Sequence, residues 1–158
     1  MRKASRDIRL LLDDIRSVHN AGSIFRTAEC AGVSMIYCFG TTPMPLDRFG
    51  QKRKDFAKVS LGAEDLVGWE HVADWKPLIK RLKKEGFKII AVEQSTKSVD
   101  HRRLRSDSKM LLILGNEVDG VSKPLLDSSD LIAEIPIHGK KESLNVSVAA
   151  GVALFSIQ

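Results

Sequence analysis

Residues 135–155 read IPIHGKKESLNVSVAAGVALF, and the two halves of this stretch follow different periodicities. The pattern predicts a short strand over residues 131–137, a turn at His138 and Gly139, and then a helix. Leu144, Val148, Val152 and Phe155 recur at helical spacing. Val146, Ala149, Ala150, Ala153 and Leu154 make the helix apolar almost all round. Such a helix is expected to be buried on most sides. Only its first turn is polar, with Ser143 expected as the N-cap and Asn145 and Ser147 following it. A buried helix entered from Gly139, Lys140 and Lys141 offers free backbone N–H groups and a positive dipole end. That suits an anionic or strongly hydrogen-bonding ligand. A capped core helix behind a solvated lysine loop is the plainer alternative.

Upstream of this stretch, apolar runs predict strands over residues 8–12, 34–40, 88–93 and 110–114. Helices are expected over about 21–31, ended by Gly32, and over 75–85, ended by Gly86. A short one over 123–128 carries Pro124 near its first turn. Residues 55–67 are ambiguous, with room for a short helix over about 61–67. Two polar, basic loops are expected, 41–54 with Pro43 and Pro45, and 94–109. Loops of such length are usually functional or mobile. Strands that alternate with helices and read as continuous apolar runs define an α/β protein with a mainly parallel sheet flanked by helices. Residues 1–158 read as a single domain with no repeat and no linker.

Composition narrows the function. Of 158 residues, 43% are hydrophobic and 28% charged, which places the chain among globular proteins. No apolar run approaches a membrane span, and the opening MRKASRDIRL has no apolar segment after its basic residues, so a cytoplasmic protein without a membrane partner is expected. Cys30 and Cys38 have neither metal nor redox spacing and are expected as buried thiols. His19, His71, His101 and His138 are scattered, so no metal site is expected. The net charge of +5 invites a polyanionic partner. Basic residues gather at Arg48, Lys52, Arg53, Lys54 and Lys58, on the helix at Lys76 to Lys84, around Arg102, Arg103 and Arg105, and at Lys140 and Lys141. At 6% aromatic content, a platform for stacking single strands is not indicated.

In open α/β sheets ligands bind beyond the C-terminal ends of the strands. Three of those ends are rich in polar residues and glycine: Asn20, Gly22 and Arg26; Gly115, Asn116, Glu117 and Gly120; and Gly139, Ser143 and Asn145. None matches G-x-G-x-x-G, a P-loop or a G-x-S-x-G elbow, which removes support for dinucleotide, triphosphate and serine-hydrolase chemistry. Glu117 and Asp119 form a carboxylate pair or are simple turn residues. Arg26, three residues before Glu29, is free for function or tied in a surface ion pair.

N-x-G-x-x-x-R in residues 20–26, L-G-N-E-V-D-G-V-S in 114–122 and I-P-I-x-G-x-K-E-S-L-N-V-S-V-A in 135–149 together resemble the three motifs of SPOUT methyltransferases, in the SpoU (TrmH-like) branch. The resemblance spans nearly the whole chain. It implies a deep C-terminal trefoil knot over about 110–158, a feature that the general rule against knots would argue away. It further implies S-adenosyl-L-methionine as cofactor, held by backbone groups of Gly115, Asn116, Glu117 and Gly120, of Ile135, Ile137 and Gly139, and of Ser143, Leu144 and Asn145. Leu114, Ile135, Ile137 and Leu144 would be its apolar walls.

By the same resemblance the reaction is methyl transfer to a ribose 2′-hydroxyl of tRNA or rRNA. Arg26 matches the family's catalytic arginine and Asn20 the asparagine beside it, while Glu117, Ser143 and Asn145 match residues that shape the site. A homodimer that completes the active site across its interface is implied. Arg48, Lys52, Arg53, Lys54, Arg102, Arg103, Lys140 and Lys141 are the candidate RNA contacts. The chain shows no separate RNA-binding domain, so an accessory RNA-binding protein is a further expected partner. A non-catalytic RNA-binding protein of the same fold is the alternative.

Overall fold

The computed structural model describes residues 6–105 and 109–158. The expectations that fall on residues 1–5, and on 106–108 of the second basic loop, lie outside the described residues. Seven strands form one sheet in which every pairing is parallel: β1 (Asp7–Asp13), β2 (Met35–Phe39), β3 (Gly68–Val72), β4 (Lys88–Val92), β5 (Val99–Asp100), β6 (Lys109–Leu114) and β7 (Leu131–Glu134). Their order across the sheet is β3-β2-β1-β6-β4-β7-β5. The helices are α1 (Val18–Cys30), α2 (Lys54–Ser60), α3 (Trp75–Lys84), α4 (Lys123–Ser128) and α5 (Val146–Ser156).

The central strands are apolar on both faces because both faces are covered. Leu10, Leu12, Ile36, Ile90 and Leu112 pack with Ile24, Phe25, Phe56, Ala153 and Leu154 of α1, α2 and α5. On the opposite face, Leu11, Tyr37, Ile89, Leu111 and Ile113 pack with Leu78, Ile79 and Leu82 of α3 and Leu125 of α4. The alternation of Leu10, Leu11 and Leu12 between the two clusters is the period of two that a strand imposes. This expected α/β architecture is what the structure has.

Several local expectations differ. α1 begins at Val18, earlier than the apolar pattern suggests, because the Ser17 hydroxyl caps it by accepting the Asn20 N–H at 3.1 Å. α5 is capped by Asn145, whose Oδ1 accepts the Ser147 N–H at 2.9 Å, and not by Ser143. Burial of α5 on most sides does not hold. Only Ala150, Ala153 and Leu154 are fully enclosed, while Val148 is 51% and Phe155 54% exposed. β7 stops at Glu134, just before Pro136, which has no N–H for a ladder.

β3 was not expected from the sequence. It is an edge strand with Glu70 and His71 facing solvent, so GWEHV carries no apolar run. In place of a helix over 61–67, α2 ends at Leu61 in the left-handed region, and a 3₁₀ turn follows at Ala63–Asp65. Neither basic loop is structureless. The first holds a bridge between Leu46 and Lys52, and the second holds β5 and a 3₁₀ turn at His101–Arg103. Cys38 is buried, and burial pushes its thiol up to about 12, but Cys30 is exposed because it lies on the outer side of the last turn of α1.

α1 and α2 touch at Gly22, where an added Cβ would lie 2.9 Å from Val59 Cβ and 3.4 Å from the Phe56 carbonyl oxygen. Overpacking costs about 1–3 kcal/mol, against roughly 1 kcal/mol that alanine gains over glycine within a helix. Gly22→Ala is therefore expected to lower stability by roughly 1 kcal/mol in urea denaturation. In a Val59→Ala background the loss is expected to shrink but not to reverse, since alanine removes Val59 Cγ1 at 3.2 Å and keeps the Cβ at 2.9 Å.

Candidate functional site

Three chain segments converge beyond the C-terminal ends of β6, β4 and β7. Past β6 the chain turns back at once, with Asn116 and Gly120 exchanging backbone hydrogen bonds of 3.0 and 2.9 Å. Asn116 Oδ1 accepts the N–H groups of Val118 and Asp119, and its Nδ2 donates to the Asp14 carbonyl at 2.7 Å, fixing the turn to the end of β1. The turn is tight enough to require glycine. A Cβ on Gly115 would meet Gly120 C and Val121 N at 2.1 Å, and Gly120 has φ +70.

Glu117 leaves this turn toward the start of α1. Its carboxylate accepts the N–H groups of Arg16 and Ser17 at 3.1 and 3.2 Å and the Asn20 side-chain amide at 3.0 Å. Partial burial would raise its pKa, but these donors outweigh burial and hold the group below the ordinary carboxylate range. Asn145 Nδ2 in turn donates to Asn20 Oδ1 at 3.1 Å. One chain of hydrogen bonds thus joins Glu117, Asn20 and Asn145, with Asn20 lying 97 and 125 residues from the other two in sequence.

Against this support lies a cavity of about 430 Å³. Leu114, Ile135, Ile137 and Leu144 contribute apolar lining, while Gly115, Asn116, Glu117, Gly120 and Ser143 contribute polar and backbone groups. Among the described residues, no backbone N–H from His138 to Leu144 donates a hydrogen bond within the chain. Of this run Ser143 and Leu144 line the cavity, and free donors beside apolar walls fit a ligand with an apolar ring system and several acceptors.

Residues 7–155 match the SpoU rRNA Methylase family. The chain belongs to that family. Among its relatives is the tRNA (guanosine(18)-2'-O)-methyltransferase of Aquifex aeolicus, 30% identical over 158 residues, which are all of this chain and 72% of that protein. The crystal structure of the A. aeolicus TrmH/SpoU tRNA modifying enzyme superposes with a TM-score of 0.84 at 28% identity, covering 98% of this chain and 75% of that one. An AdoMet-bound rRNA methyltransferase from Sinorhizobium meliloti gives 0.85 at 28% identity. There, 95% of this chain covers only 55% of the larger protein.

SpoU-family RNA methyltransferases use S-adenosyl-L-methionine, and the cavity suits that molecule. Its walls match an adenine, and its free N–H groups match the polar atoms of a nucleoside and an amino acid. Of the residues expected at the cofactor, Gly139 and Asn145 do not line the cavity, although Asn145 braces it through Asn20. Glu93 was missed. Its Oε2 accepts the Val121 N–H at 2.9 Å, and a Cβ on Gly120 would lie 2.0 Å from that oxygen, so it clamps the turn from the end of β4. It lies outside the three motifs, yet the rule of strand C-terminal ends, applied to β4, points to it.

Arg26 is not part of this cavity. It is exposed on the outer side of α1, in a second concavity with His19, Ser23, Cys30, Lys58 and Phe155, and among the described residues it has no ion pair with Glu29 or any other carboxylate. Asp119 does not pair with Glu117 but lies 3.9 Å from Arg16. Of the basic residues, Lys52 pairs with Asp65, Arg53 with Asp55 and Arg102 with Asp100, whereas Lys54, Arg103, Lys140 and Lys141 are exposed without an ion pair among the described residues.

Because the folded state lowers the Glu117 pKa, its contribution to stability is present above the ordinary value of 4.5 and is lost as pH falls through the folded value. Glu117→Gln is expected to cost about 1 kcal/mol at neutral pH, the low end for hydrogen bonds to a charged group because the carboxylate is largely solvent-exposed. Thermal denaturation from pH 7 down to 3 is expected to close the gap between variant and wild type.

Proposed function

We infer that the protein transfers the methyl group of S-adenosyl-L-methionine to a ribose 2′-hydroxyl of tRNA or rRNA, acting in the cytoplasm as a homodimer. The observation that carries the reading is the Glu117–Asn20–Asn145 chain. It locks all three motifs around a cavity of suitable size and chemistry. The bound cofactor would supply an electrophilic methyl group on a sulfonium. The protein's own tasks are to hold that group, to align the hydroxyl with it and to exclude competing geometries.

Leu114, Ile135, Ile137 and Leu144 would enclose the adenine, and the free N–H groups of 138–144 would meet its polar substituents. Placing this segment as the last pass of a trefoil knot accords with β7 lying beside β4 while α5 packs back on α1. Residues 1–158 then form one SPOUT domain. Arg26 lies outside its own cavity but beside Phe155, and α5 exposes Val148 and Phe155. An apolar helix face bordered by an unpaired arginine supports pairing with a second copy, so that Arg26 serves the partner's site. A guanidinium stays protonated near neutral pH and is a poor base. Its fork of donors instead suits a phosphate and the adjacent hydroxyl. Arg48, Lys54, Arg103, Lys140 and Lys141 would add phosphate contacts, with an accessory RNA-binding protein supplying further selectivity.

The decisive experiment is methyl transfer from labelled S-adenosyl-L-methionine into total RNA from cells lacking this protein, with products mapped by nucleoside mass spectrometry. One 2′-O-methylated site is the expected result, and no transfer despite cofactor binding would favour the non-catalytic alternative. Arg26→Lys is expected to bind RNA within a few fold of wild type and to lose kcat on the order of 100-fold, as misplaced contacts do. Retained turnover would remove Arg26 from the mechanism.

A further inference from the structure

Phe49 is 75% exposed, which leaves most of its apolar ring in water. It does not sit on a slack loop. Asp47 Oδ1 accepts the N–H groups of Phe49 and Gln51 at 2.8 and 2.9 Å, and Asp47 N–H donates to the Gln51 carbonyl at 2.8 Å. The Leu46–Lys52 bridge closes the hairpin below, and Gly50, at φ +76, makes the turn. The ring is therefore held out into solvent by a built tip.

The Arg48 guanidinium lies 4.8 Å from the Phe49 ring centroid. Arg48 and Lys54 have no ion pair among the described residues, and the carboxylate beside them, Asp47, is engaged by the Phe49 and Gln51 N–H groups. The ring also borders a concavity lined by Thr41, Met44 and Arg53. Thr41 is shared with the next hollow, lined by Arg16 and Asp14, and that hollow shares Asn116, Asp119 and Gly120 with the cofactor cavity. These shared lining residues mark a track from the methyl-donor site to the aromatic tip, with Asp13, Asp14 and Asp119 beside Arg16 in its middle part.

The geometry points to Phe49, braced by Arg48, as a stacking site for one unpaired base of the RNA substrate, a few nucleotides from the methylated ribose. The inference rests on the reading of RNA as substrate. A rigid ring beside a guanidinium offers a π-face to a base and a charge to its phosphate, and every base has a π-face to match. The low aromatic content argues against a platform spanning many bases but not against one well-placed ring. Phe49 is then a positioning residue: it sets which unpaired segment lies along the track.

The test compares wild type, Phe49→Ala and Phe49→Trp in binding two fluorescein-labelled probes. One is fragmented total RNA, which offers unpaired bases; the other is a blunt RNA duplex, which offers almost none. Phe49→Ala is expected to weaken binding of fragmented RNA about tenfold, to leave duplex and cofactor binding unchanged, and to raise KM more than it lowers kcat. Phe49→Trp is expected to restore affinity to within about twofold, since a larger ring stacks at least as well. Equal binding by wild type and Phe49→Ala, or equal loss on both probes, overturns the inference while the proposed function stands. So does loss in Phe49→Trp matching that in Phe49→Ala, which would mark an apolar protein contact instead. Failure of wild type to bind any RNA removes the proposed function and the inference with it.

Discussion

A carboxylate that accepts from two backbone amides and one side-chain amide, with that side chain accepting from a second, is the constraint on which this site depends. Glu117, Asn20 and Asn145 come from the turn after β6, the first turns of α1 and the cap of α5. No two of these segments are neighbours in sequence. The linkage is worth more than its individual hydrogen bonds because breaking any one leaves part-buried polar groups without partners. It also fixes where the free N–H groups of 138–144 stand, since Asn145 holds the end of that segment. Glu117, Asn20 and Asn145 thus serve first as struts, and the cavity beside them combines backbone and polar groups with the apolar side chains of Leu114, Ile135, Ile137 and Leu144.

The same division of labour explains the glycines. Gly115 and Gly120 stand where the returning chain passes within van der Waals contact of itself and of Glu93. Any side chain there would push the turn away from the end of β4 and open the cavity wall. Gly32 and Gly86, by contrast, only end helices and have open space beside them.

The sheet was legible in the sequence wherever burial on both faces imposes an unbroken apolar run, as in β1, β2, β4 and β6. β3 and β5 were not, for the opposite reason. They are edge strands, where one side meets water and charged residues such as Glu70 and Asp100 are admitted. The cavity lining was read from glycine and apolar positions within three motifs, yet Glu93 escaped because its role comes from tertiary proximity to Gly120. Ser143 looked like a cap because hydroxyls favour that position. Asn145 holds it because its side chain is already turned toward the helix start by Asn20.

α5 shows the limit of composition most clearly. A helix apolar on nearly every side reads as fully buried, but the pattern does not say against what. Within this chain Ala150, Ala153 and Leu154 of α5 are enclosed in the core, while Val148 and Phe155 remain in solvent. Exposed groups of that size on a helix with no polar face are unfavourable at tens of calories per square ångström. The hydrophobic cost falls on the same surface that carries Arg26, a motif residue outside the hydrogen-bonded support. The struts of the cavity are complete within one chain, and Arg26 lies in a separate concavity. The proposed pairing with a second copy would cover α5 and bring Arg26 to the partner's cavity at once, so one contact would answer both features.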